Sequence, residues 1–105
     1  MVYDYAGMVA LADSTRRKVF ELVVEQPRSV ADLARILPVS QPAVSQHLKM
    51  LKAARLVRAE PKGASNIYHL DPHGLGEMRA WLDRMWDDAL GAFRKEIHDS
   101  KEKQR

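Results

Sequence analysis

The sequence contains no cysteine. Disulfides, thiolate metal sites and cysteine nucleophiles are therefore excluded together. No run of about 18 apolar residues is present, so no membrane-spanning helix is expected. The opening stretch Met1-Val2-Tyr3-Asp4-Tyr5 lacks the basic and apolar regions of a secretory signal, which makes the cytoplasm the expected compartment. A glycine-rich phosphate loop and a paired acid-base constellation are missing as well, which argues against an enzyme.

What is present is a chain of 105 residues, 46% hydrophobic, enough for one domain with one modest core. The net charge is only +3, but it is unevenly placed. Residues 14–69 hold ten Lys/Arg against four Asp/Glu, whereas 1–13 carry two acids and 70–105 are close to balance. A basic centre between near-neutral flanks is the pattern expected of a phosphate-contacting unit, although a solvated surface can also produce it.

Residues 3–12 lack breakers and predict a short helix that buries Tyr5, Met8 and Val9. Asp13 or Ser14 can cap the next helix, whose apolar set Val19, Phe20, Leu22, Val23 and Val24 is thick enough for the core, and Pro27 ends it. Ser29 and Asp32 have capping-box spacing, and Val30, Leu33, Ala34 and Leu37 follow at helical period. Pro38-Val39-Ser40 breaks that helix, and Ser40 can cap another from Gln41 to about Ala54. Beyond Arg55, Leu56–Ala59 and Asn66–Leu70 predict two strands flanking a tip at Pro61–Ser65. Asp71-Pro72 then opens a last helix that is expected to reach Ile97, leaving a polar tail over 99–105.

The fold class that follows is mainly α with a two-stranded β-hairpin wing, about five helices in all. Residues 1–98 form a single winged helix-turn-helix domain, with the helix-turn-helix at 29–54 and the wing at 56–70. On a helical wheel Val44, Leu48 and Leu51 share one side of the second helix, leaving Gln41, Pro42, Ser45, Gln46, Lys49 and Lys52 on or near the other. Amide side chains such as Gln41 and Gln46 can pair with adenine in the major groove, and Ser or Lys can meet base edges or phosphates, so these residues with Ser40 form the candidate reading head. His47 lies at the margin, either as a boundary residue or as a DNA contact. Arg58, Lys62, Ser65 and Asn66 belong to the wing, where cations would neutralise phosphates.

The last helix carries Leu75, Met78, Leu82, Met85, Trp86, Ala89, Leu90, Phe93 and Ile97 at intervals of mostly three or four. A helix over 72–97 is about 39 Å long, more than so small a core can cover, so the stripe calls for a second copy of the chain. Trp81 and Trp86 fit packing better than a ligand cage. Arg16 and Arg17 suit solvated charges, with phosphate contacts as the alternative, and His69 and His73 suit structural roles.

Ala10–Arg17, Ser29–Ala34, Val39–Lys49, Leu56-Val57 and Ile67–Leu70 together resemble the ArsR-type winged-helix repressors over nearly the whole chain, and the run Ser40-Gln41-Pro42-Ala43-Val44-Ser45-Gln46-His47-Leu48 is the most specific part. The resemblance implies a homodimer formed by the first and last helices, over 3–12 and 72–97. Tyr5, Met8, Val9, Met78, Leu82, Met85, Trp86, Ala89, Leu90 and Phe93 would then line the interface. It also implies a palindromic double-stranded DNA operator, often the gene's own, released by a metal, another ligand or a redox change. The chain departs from the metal sensors of that family. Val30–Arg35 has no Cys-x-Cys pair, and His98 with Asp87, Asp88 and Asp99 offers no matching second histidine, so no metal and no cofactor are expected and the inducer is not legible. The rival function is a winged-helix module for protein or RNA contacts.

Overall fold

The computed structural model describes residues 2–103, with side chains from 5 to 101. The chain runs α1 (Val2–Ala12), α2 (Ser14–Glu25), β1 (Arg28–Ser29), α3 (Val30–Ile36), α4 (Gln41–Ala53), β2 (Val57–Lys62), β3 (Ser65–Leu70) and α5 (Pro72–Lys103). The five helices and the hairpin match expectation. A short third strand does not: β1 pairs antiparallel with β3, giving the sheet order β1-β3-β2.

The caps fall where the side chains direct them. Asp13 accepts the Arg16 amide at the start of α2, Ser40 accepts the Ala43 amide at the start of α4, and Ser29 and Asp32 form a complete capping box on α3. Ser29 has a second role. An N-cap residue is extended, so its backbone can lie opposite Ile67 in the sheet while its hydroxyl closes the helix. This is why Pro27 leads into a strand rather than an irregular loop.

The core is built from Val19, Phe20 and Val23 of α2, Leu33 of α3, Val44, Leu48 and Leu51 of α4, and Leu56 and Val57 at the entry to β2. Each fully buried leucine contributes about 2 kcal/mol. Val24, expected inside, lies on the outer side of α2 and is exposed. The first helix also departs from expectation. It turns its small residues Ala6, Gly7 and Ala10 inward, so Tyr5 and Val9 stay exposed and Met8 is half-buried. Small residues bring α1 close to α5, where a Cβ on Gly7 would meet the Met78 side chain. The Tyr5 ring meets Trp81 edge-on with centroids 6.0 Å apart, so α1 and α5 run antiparallel.

The α4–β2 corner is a Schellman turn. Leu56 donates its amide to Leu51 and Arg55 donates to Lys52, with Arg55 at φ 58°, a left-handed position usually given to glycine. Onto this corner docks the first turn of α5. The Gly74 amide donates to the Arg55 carbonyl at 2.8 Å, and a Cβ on Gly74 would press into the Ala54 and Arg55 carbonyl oxygens. Asp71 accepts the His73 amide as that helix begins. The helix expected to stop near Ile97 continues to Lys103, and of the expected polar tail only Gln104 and Arg105 lie outside the described residues. It gives the described chain its long dimension of 73 Å against 24 and 23 Å.

Candidate nucleic-acid interface

The candidate reading head follows from burial on one side of α4. With Val44, Leu48 and Leu51 fully enclosed, Gln41, Pro42, Ser45, Gln46, Lys49 and Lys52 are all exposed, and Ser40 is exposed at the cap. They span about 140° of the helix circumference. Amides, a hydroxyl and two ammonium groups thus share one convex face, matching a groove lined by acceptors and bordered by phosphates.

His47 does not belong to that face. It stands about 160° round the helix from Lys49, half-buried on the side toward Asp13. Its Nδ1 is enclosed without a hydrogen-bond partner, the one such side-chain atom among the described residues. Asp13 is held below the ordinary carboxylate range chiefly by the Arg16 amide it accepts, with smaller help from the Arg16 guanidinium and His47. Of the two places expected for His47, the boundary between α4 and α2 is the one its half-burial and its distance from the exposed polar face favour.

The wing is ordered by register. Two residues, Gly63 and Ala64, join the paired ends Lys62 and Ser65, and only Gly63 takes a positive φ, 62°, the arrangement that suits a tight hairpin. Facing pairs lie on one side of the sheet, so Arg58 with His69, Glu60 with Ile67, and Lys62 with Ser65 share a face. His69 Nε2 lies 3.2 Å from Glu60 Oε1 on that face. Asn66 faces Pro61 on the opposite side, so the four wing residues expected to act together are divided between two faces.

Arg16 and Arg17 have a role the sequence did not reveal. α1 has no basic residue in its last turn, and both guanidiniums fold back from α2 onto its final carbonyls, Arg16 onto Ala10 and Arg17 onto Leu11. Cations at a helix C-terminus complement its dipole, so these two arginines are structural. Arg16 also reaches the Met50 sulfur at 3.2 Å. His69, near the end of β3, lies on Glu60, and His73, in the first turn of α5, lies beside Asp71.

Of the expected interface residues, Met78 is packed within its own chain, whereas Leu82, Met85, Trp86, Ala89 and Phe93 are exposed and Leu90 half-buried. No group of three or more His, Cys, Asp or Glu side chains that could hold a metal ion occurs among the described residues, and no helix there is long and apolar enough to cross a membrane.

Residues 13–59, from the α2 cap through the helix-turn-helix into β2, match the model of the arsR family of bacterial regulatory proteins. The chain is 55% identical over 84 residues to the HTH-type transcriptional regulator Rv2034 of Mycobacterium tuberculosis, covering 80% of this chain and 78% of that one. An ArsR-like transcriptional regulator from a Rhodococcus species superposes with a TM-score of 0.76 at 29% identity, over 90% of this chain and 92% of that chain. A domain of Mb0332 from Mycobacterium bovis, described as a homodimeric winged helix-turn-helix DNA-binding domain, shares the fold with a TM-score of 0.65 at 22% identity, over 82% and 80% of the two chains.

Proposed function

The chain belongs to the arsR family of bacterial regulatory proteins, and from that premise we propose that it is a homodimeric repressor that binds a palindromic duplex operator, its own promoter included. Such a protein works in the cytoplasm, beside the chromosome. The observation that carries this reading is the exposed polar and cationic face of α4 backed by three fully buried apolar residues. A solvated helix also turns polar side chains outward, but the two amides, one hydroxyl and two ammonium groups of Gln41, Ser45, Gln46, Lys49 and Lys52 are the kinds that pair with base edges and phosphates.

Within the proposal, Gln41 and Gln46 read bases, Ser40 and Ser45 and the lysines hold the phosphate frame, and Arg58 and Lys62 extend that frame from the wing. The exposed stripe of α5, with Tyr5 and Val9 of α1, closes the dimer. A two-fold axis then sets the two α4 helices into successive major grooves about 34 Å apart.

The test is a titration of the purified protein against the DNA upstream of its own gene, over a range of salt. Gln46→Ala is expected to lose about 1 to 3 kcal/mol on the operator and relax base preference at one position of each half-site. Lys62→Ala weakens all sequences alike and flattens the salt dependence. Equal binding of operator and scrambled DNA by the unaltered protein overturns the reading.

A further inference from the structure

A groove of about 480 Å³ lies between the outer side of α2 and the end of α3, walled by Lys18, Glu21, Leu22, Glu25, Ile36 and Leu37. The four α2 residues recur at helical spacing and form one stripe, and Ile36 and Leu37 close the groove from the other side. Leu22 and Leu37 pack against the core, whereas Ile36 is 50% exposed and leaves an apolar wall open to solvent. No residue of α1, of α5 or of the exposed face of α4 takes part, so this surface is separate from the proposed dimer face and the proposed reading face. Its size falls within the range of small-molecule sites, about 300 to 1,000 Å³.

The charge on its rim indicates what fits there. α2 ends on carboxylates with no basic residue in its last turn, where the helix dipole is already negative. Arg28 meets Glu25 at 3.6 Å, but that guanidinium also donates to the Leu22 carbonyl, and Glu21 has no ion-pair partner among the described residues. On the opposite wall the last turn of α3 carries the negative end of its own dipole, and its one basic residue, Arg35, is engaged by Asp32. Lys18, the one cation lining the groove, stands two turns from Glu25, about 10 Å along the helix. Two carboxylates one turn apart beside apolar walls suit an ammonium carried on an apolar body. They repel phosphate, so the groove does not extend the nucleic-acid face.

We propose that this groove binds a small organic cation, an ammonium group on an aliphatic or aromatic body, and that its occupancy lowers operator affinity. The ammonium lies between Glu21 and Glu25, and the body lies on Leu22, Ile36 and Leu37. The effect on DNA rests on the function proposed above; the site itself does not. Leu37 opens the turn into α4, where the Val39 amide donates to the Leu37 carbonyl at 2.8 Å and Ser40 caps the helix. Leu37 is packed against the core on its inner side, so a body wedged against its outer side has to shift the turn that holds Ser40 and Gln41. Those two residues begin the proposed reading helix.

Three probes with one body and different heads test the site: phenylbutylammonium, phenylbutanol and phenylbutanoate, each titrated into the full chain and followed by amide NMR. The ammonium is expected to move signals in the second half of α2 and in α3, and to bind about fivefold more tightly than the alcohol, with the carboxylate weakest. Glu21→Gln with Glu25→Gln, both exposed positions, should abolish that preference. Equal binding of ammonium and alcohol by the unaltered chain, absence of binding, or a preference that survives in the double variant overturns the site. Operator titrations at fixed salt, with and without saturating phenylbutylammonium, test the coupling. Affinity should fall about tenfold for the unaltered chain and stay level for the double variant. Binding in the groove with unchanged operator affinity overturns the coupling and leaves the site standing. A chain that fails to bind operator without any probe overturns the function proposed above, and the NMR titration then decides the site by itself.

Discussion

Two glycines of α5, two residues apart, make opposite demands. A methyl group on Gly74 presses into two carbonyl oxygens of the α4–β2 corner, and backbone cannot give way as a side chain can. Gly74→Ala should therefore cost about 2 kcal/mol or more. Gly76 has open space and an ordinary backbone, so Gly76→Ala should gain about 0.5 to 1 kcal/mol through a less mobile unfolded chain. Urea midpoints of the two variants should move in opposite directions. His47 gives a second case. Its enclosed, unpartnered nitrogen is a cost the fold carries, so His47→Leu should stabilise by about 1 kcal/mol and leave operator affinity within about twofold. A loss of affinity comparable to that of Gln46→Ala would return His47 to the reading face.

Helix ends are the elements most open to acid. Asp13 is lowered by the Arg16 amide, and Asp32 by the Ser29 amide and hydroxyl, ahead of the smaller charge effects. A carboxyl lowered in the folded chain contributes stability that is present above its unfolded pKa and is lost as pH falls through its folded one. These two caps should therefore make the unfolding midpoint drop below about pH 4 and leave it unaffected by them at neutral pH. Asp32→Asn should shallow that acid limb in urea titrations at stepped pH; a limb of unchanged steepness would remove the cap from the account. The same elements show what was legible in the sequence. Caps, the buried side of α4 and the strands of the wing follow from side chains acting within three or four residues. The division of Asn66 from Arg58 and Lys62 depends on register, which is fixed only when β2 meets β3. Arg16 and Arg17 cap a neighbouring helix, the left-handed turn at Arg55 has no glycine to announce it, and α1 buries small residues where larger ones suggested burial. The arginine contacts cross a helix boundary six residues back, and the Arg55 turn closes on residues three to five back, so the signal lies in how neighbouring elements meet and not in the period of any one helix.

For the whole molecule, the apolar stripe of α5 and the missing thiols lead to separate expectations. Leu82→Glu with Trp86→Glu places charge on the exposed stripe and leaves the buried core intact, so sedimentation should show a folded monomer whose operator affinity falls far more than twofold. A charged variant that stayed dimeric would move the interface away from α5. Without cysteine, arsenite or peroxide has no thiol to attack, so neither should release operator in a two-component assay by direct action on this chain. Release by arsenite would require a binding chemistry absent from these side chains.

The seat of α5 on the α4–β2 corner also has a mechanical meaning. Gly74 and Arg55 meet main chain to main chain, with no side chain between them to absorb a displacement. α4 extends from this joint as a lever of 13 residues, about 20 Å, with Gln41 at its far end. A rotation of about 5° at the joint sweeps that tip through about 1.7 Å, half of the roughly 3.4 Å between successive bases on a strand. On the proposed dimer a signal would gain leverage there: because Val44, Leu48 and Leu51 anchor α4 in the core, such a tilt has to carry those side chains with it, and it would put the proposed reading residues out of step with the bases.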